Sequence, residues 1–215
     1  MAMTTSKGDI VMYCDLQLTK DGGVGICQPD ITLNNTTDIG MVFPSGKKTY
    51  NVNGKPVQVV QNVLSRSSLF DRTMQVQSVD DILGRKSVKL LWLNVQHDLF
   101  YNEQKHSPSA YVHKVVRYYP LDYISSPEIG FLKAMQGKAY ASGILVPKDY
   151  IWPVSTDKYL AGNPSTLVPG AHKLGLEVYA SSFSNDFPAS YNYSYDPTLE
   201  YLQFVDSSSQ FVVDG

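Results

Sequence analysis

The chain has 215 residues, 43% hydrophobic and 18% charged, with a formal net charge of −2. That balance fits one globular domain with a sizeable core, and it excludes both a disordered polymer and the basic face that nucleic acid requires. No stretch approaches the ~20 apolar residues of a membrane span, so neither nucleic acid nor a membrane span is expected among its partners.

In chain order, residues 9–18 (DIVMYCDLQL) read as a strand with Tyr13, Asp15 and Gln17 alternating onto one face. A turn at 20–23 leads into a short strand over 24–27, and a polar stretch from 44 to 56 reads as loop. Residues 89–100 (KLLWLNVQHDLF) form an apolar run that turns polar at its C-terminal end, the profile of a buried parallel strand delivering side chains to a site. Helices are expected over 107–117, 127–135, 166–174 and 197–205, and strands over 121–125, 141–146, 176–182 and 210–213. Strands alternating with helices predict one α/β domain across residues 1–215 with a mostly parallel sheet.

Cys14 and Cys27 flank the turn at 20–23, so they read either as a disulfide or as two buried thiols. Glycosylation acceptor patterns stand at Asn34, Asn35 and Asn192, and they suit an exported protein. The opening MAMTTSKGD carries no apolar leader core. With Met1 as a native start the expectation is cytoplasmic; as part of a secreted protein, the chain belongs in the extracellular space or cell wall.

The blocks DIVMYCDLQLTKDGGVGICQPDITLNNTTDI, LWLNVQHDLFY, DYISSPEIGFLK, ASGILVPKDYIWP, HKLGLEVYASSFSNDF and YNYSYDPTLEYLQFVD follow one another along nearly the whole chain. Together they resemble the first domain of the plant glycerophosphodiester phosphodiesterase-like proteins, a cell-wall family with tandem domains and a lipid anchor. The resemblance implies a (β/α)₈ barrel with its site at the C-terminal ends of the strands. It also implies a truncated or incomplete barrel. The family's opening strand has no counterpart here, and segments are expected to be missing between Val57 and Val63 and around residues 136–141.

Active members of the wider superfamily hold a divalent cation between carboxylates and use two histidines as acid and base. Against that pattern Tyr13 stands for one carboxylate beside Asp15, Pro29 for a histidine beside Asp30, and Gln96 for a third acid. Calcium and magnesium prefer several anionic oxygen ligands, so no metal and no cofactor is expected. Asp15, Tyr13 and His97 are the candidate catalytic residues, and Gln17, Asn94, Gln96, Asp98, Tyr179 and Ser181 the candidate pocket. The plainer reading makes Asp15 a leftover hydrogen-bonded acid and turns His97 to the opposite face from Gln96.

Three functions follow. The chain is a non-hydrolytic binding module, or a repurposed lyase, isomerase or cyclase acting on a small plant metabolite, or a residual phosphodiesterase. A small-molecule ligand is the expected partner. An incomplete barrel leaves uncovered edges, which predicts a homodimer or larger assembly.

Overall fold

The computed structural model of the chain describes residues 11–33, 44–60, 76–85, 90–119, 121, 123–136, 142–184 and 190–205. The expected strand at 210–213, the acceptor patterns at Asn34 and Asn35, and the junction at 137–141 lie outside these. Contacts gather the chain into two compact units, Met1–Ile124 and Ser125–Gly215.

In the first unit, β1 (Val11–Leu18) pairs in parallel with β5 (Leu90–Val95), and antiparallel with β2 (Gly25–Cys27). The β1–β5 register sets Tyr13 opposite Trp92, Cys14 opposite Leu93 and Asp15 opposite Asn94. Because side chains alternate along a strand, Cys14, Leu16, Leu91, Leu93 and Val95 form the buried apolar side. Tyr13, Asp15, Trp92 and Asn94 share the other.

Gly25 sits where an added Cβ would come within 2.6 Å of both Leu16 and Tyr111, so the β2 backbone packs directly on those side chains. β2 is also tied to α1 (Val79–Leu83): Cys27 N–H donates to the Gln77 carbonyl at 3.0 Å, one residue before the helix cap. At that cap Ser78 Oγ accepts from Asp81 N–H at 3.0 Å while Asp81 Oδ2 accepts from Ser78 N–H at 3.1 Å, a reciprocal capping box.

The stretch expected to be loop is a hairpin. After a single 3₁₀ turn at Pro44–Gly46, β3 (Lys47–Val52) pairs antiparallel with β4 (Lys55–Val60). Asn53 and Gly54, at φ 51° and 83°, make the two-residue turn that an Asn-Gly pair favours. The apolar run at 89–100 also divides: β5 stops at Val95, and Asp98–Glu103 is a helix, α2. α3 (Pro108–Tyr118) begins with Pro108 inside a Ser107 cap, whose Oγ accepts from Ala110 N–H.

β6 (Tyr123–Ser125) ends the first unit and opens the second, where Ser125 pairs in parallel with Gly143 of β7 (Gly143–Pro147). β7 pairs in parallel with β8 (Glu177–Ser181) over its full length. Gly143 is required there, since a Cβ would stand 2.3 Å from the Glu177 carbonyl oxygen. α4 (Ile129–Gln136), α5 (Lys148–Ile151), α6 (Leu167–Lys173) and α7 (Pro197–Val205) complete the described elements. Phe131, Leu132, Met135, Ile144, Ile151, Val168, Val178 and Phe204 form this unit's core.

A buried ion pair joins the start of α5 to α7, with Lys148 Nζ 2.6 Å from Glu200 Oε1 and Nζ 5.1 Å from the centre of the Phe183 ring. Parallel strands interleaved with helices make this an α/β protein, as the alternation in the sequence implies.

Candidate functional site

The polar positions of β1 and the end of β5 meet in the first unit. Asp15 Oδ1 accepts three hydrogen bonds: from Tyr13 OH at 2.6 Å, from Asn94 Nδ2 at 2.7 Å and from Gln96 Nε2 at 2.7 Å. The parallel register places Asn94 beside Asp15, and Gln96, two residues on, returns to the same face just past the strand end. Among the described residues, none donates to Asp15 Oδ2.

Tyr13 is 46% exposed, its ring edge against Trp92 at 5.7 Å, and Trp92 in turn lies 5.7 Å from Tyr123. These rings form an aromatic side to the cluster. Desolvation first, and then its bond to the Asp15 carboxylate, hold the Tyr13 phenol well above the ordinary tyrosine range. At neutral pH Tyr13 is therefore a hydrogen-bond donor to Asp15, not a base.

Gln17, one step further along β1, is 3% exposed and accepts from Tyr101 OH at 2.8 Å through Oε1. Tyr101 comes from α2 and was not among the residues the sequence singled out. Burial pushes its phenol up to about 12, partly offset by a backbone hydrogen bond from Leu18. No signal in the sequence marks it, because its position depends on where β5 ends and α2 begins.

His97 stands at that junction in the left-handed region, φ 60° and ψ 33°, and its carbonyl accepts from Tyr101 N–H at 3.0 Å. Such a conformation in a non-glycine residue is costly and is held by its surroundings. His97 thus sets the turn that delivers Tyr101 to Gln17.

Asp98 is in the first turn of α2, not on the strand, where its charge complements the positive end of the helix. Tyr179 and Ser181 lie on β8 in the second unit, paired with Leu145 and Pro147 of β7, and Tyr179 OH bonds to Glu177. The structure thus brings Tyr13, Asp15, Asn94 and Gln96 together, with Gln17 and Tyr101 beside them.

Cys14 and Cys27 are bridged, their Cα atoms 4.9 Å apart. The bond fastens β2 to the buried side of the strand that carries Asp15, and Gln28 N–H adds a bond to the Asp15 carbonyl at 2.9 Å. Among the described residues, no three His, Cys, Asp or Glu side chains gather in a way that would hold a metal ion.

No family model matches the chain. Curated relatives do. Glycerophosphodiester phosphodiesterase GDPDL6 of Arabidopsis thaliana is 45% identical over 269 residues, covering 100% of this chain and 35% of the relative. Glycerophosphodiester phosphodiesterase GDPDL1 of the same plant is 38% identical with the same coverage. The Arabidopsis protein SUPPRESSOR OF NPR1-1 CONSTITUTIVE 4 is 37% identical over 270 residues, covering 100% of this chain and 24% of that protein. The chain spans about a third of the length of the first two of these relatives. The aligned stretch of 269 positions exceeds the 215 residues present, so these relatives hold internal residues that this chain lacks.

Proposed function

The chain is a shortened homologue of the plant glycerophosphodiester phosphodiesterase-like proteins and has the incomplete (β/α)₈ fold of that superfamily, and on that premise we propose that it is a non-hydrolytic, ligand-binding member. We read it as a single shortened domain. The observation that carries the proposal is the convergence of three neutral donors, Tyr13, Asn94 and Gln96, on one oxygen of Asp15. A hard divalent cation needs several oxygen ligands, preferably anionic, and here it would have to displace donors already in place. The same arrangement suits a small polar ligand, with Asp15 Oδ2 as acceptor and the Tyr13–Trp92–Tyr123 rings as an apolar wall.

The test is incubation with glycerophosphocholine in calcium or magnesium, beside calorimetric titration of each ion. No turnover and no metal-binding heat are expected. Hydrolysis that disappears in Asp15→Ala would overturn the proposal.

The 2.6 Å bond between Tyr13 and Asp15 favours a second reading, a metal-free acid–base enzyme in which Tyr13 donates the proton. A changed metabolite profile after incubation with plant extract would select it over the binding module. The proposal also includes an oxidising compartment, extracellular or cell wall, supported by the Cys14–Cys27 bridge.

A further inference from the structure

We propose that Asn192 carries an N-linked glycan whose first sugar lies against the exposed tyrosine rings beside it. The inference rests on the oxidising compartment proposed above. Asn192-Tyr193-Ser194 is a complete acceptor pattern, with a residue other than proline between the asparagine and the hydroxyl. Asn192 is exposed at the centre of the 3₁₀ turn Tyr191–Tyr193.

Its amide orientation is fixed by its partners. Oδ1 accepts from the backbone N–H of Leu160 at 2.9 Å and from Ser190 Oγ at 3.1 Å. A backbone N–H only donates, so the atom facing it is the oxygen, and Nδ2 is the atom left for substitution. In the transfer, Asn192 Nδ2 bonds to the anomeric carbon of a lipid-diphosphate-linked oligosaccharide. The anomeric carbon–oxygen bond breaks, the lipid diphosphate leaves, and the amide gives up one proton. The side-chain carbonyl oxygen is untouched, so both hydrogen bonds that position the turn persist in the product.

A second, independent feature surrounds this asparagine. Tyr159, Tyr191 and Tyr195 are 50%, 45% and 67% exposed, yet their rings meet edge to face, 5.5 Å between Tyr159 and Tyr191 and 6.0 Å between Tyr191 and Tyr195. The backbone pays for this display with positive φ at Lys158, Ser194 and Tyr195. Tyr191 N–H holds the two segments together by donating to the Lys158 carbonyl at 2.9 Å. Three rings presented to solvent beside an acceptor asparagine offer the flat apolar face on which the C–H side of a sugar packs.

The full chain, carried on a cleavable leader through the secretory pathway of plant cells, tests this. The peptide containing Asn192 should be a glycopeptide that peptide N-glycosidase converts to the aspartate form. Asn192→Gln and Ser194→Ala should each migrate faster than the parent by one glycan. An unmodified Asn192 in protein whose cysteines are bridged overturns the glycan and leaves the compartment reading standing. An unmodified Asn192 with both cysteines open to alkylation overturns both. For the packing, enzymatic removal of the glycan should lower the melting temperature of the parent more than that of Tyr191→Ala; an equal shift in the two proteins overturns the contact with the rings.

Discussion

Asp15 gathers three donors onto one oxygen, and its neighbours depend on it as much as it depends on them. Removing the carboxylate takes a charged acceptor from Asn94, which is 1% exposed, as well as from Tyr13 and Gln96. Asp15→Ala should therefore destabilise the fold by about 1–3 kcal/mol, read from the urea midpoint, apart from any effect on ligand. Tyr101→Phe should cost a similar ~1–3 kcal/mol, because Gln17 Oε1 is buried and loses the phenol that donates to it.

The buried tyrosines also set an alkaline limit. Desolvation pushes Tyr101, Tyr111 and Tyr193 from 10.0 up to about 12. The folded chain thus favours the neutral phenol, so this stabilisation is whole below pH 10 and is lost as pH rises towards 12. Phenolate absorbance should show these groups ionising later than exposed tyrosines and together with unfolding. The alternation of Tyr13, Asp15 and Gln17 was legible in the sequence because a strand's period of two needs no tertiary knowledge. Tyr101 was not, since its contact with Gln17 follows from a left-handed turn at His97.

Elements with a strong local signal stand close to where the sequence places them, and the others carry a signal that is ambiguous or too short. The Pro197–Val205 helix matches its expected span, β1, β2 and β8 fall within theirs, and β7 overlaps its own but runs one residue further, to Pro147. The β3–β4 hairpin departs from the expected loop: Asn53-Gly54 stands between Val52 and Val57, but the surrounding lysines and asparagines give the stretch a loop-like composition. α1 and α5 have five and four residues, too few for a helical period to emerge.

The cysteines left two states open, and the structure selects the bridge. With a sequence separation of 13, the disulfide closes a short loop, and removing it through Cys14→Ala with Cys27→Ala should cost roughly 2–4 kcal/mol of stability. Unfolding under reducing and non-reducing conditions should show the same gap for the parent. The pair joining α5 to α7 had no sequence signature, as its partners are far apart in the chain. Glu200→Ala strands a buried lysine and should destabilise by about 3–5 kcal/mol, whereas Lys148→Met combined with Glu200→Leu should come close to the parent. A double variant as unstable as the single would show that the loss lies in packing and not in the unpaired charge.

At the scale of the molecule, the family relation and the chain length pull against each other. The relatives use 269 aligned positions where this chain has 215 residues, so a barrel of the family's type has to be built here from fewer parts. Closing a barrel requires strand number and stagger to agree, and a chain that lacks interior segments leaves apolar surface for something else to cover. α7 offers such a surface: Leu199, Leu202 and Val205, spaced three apart, are 46%, 51% and 54% exposed. A second copy presenting the same stripe would bury both in an isologous contact. Light scattering of the parent should give a homodimer or larger species, and Leu202→Glu, which puts a charge in the middle of the stripe, should shift it to monomer at equal concentration. A parent that is monomeric at every concentration would overturn the self-association; a dimer indifferent to Leu202→Glu would move the contact away from α7.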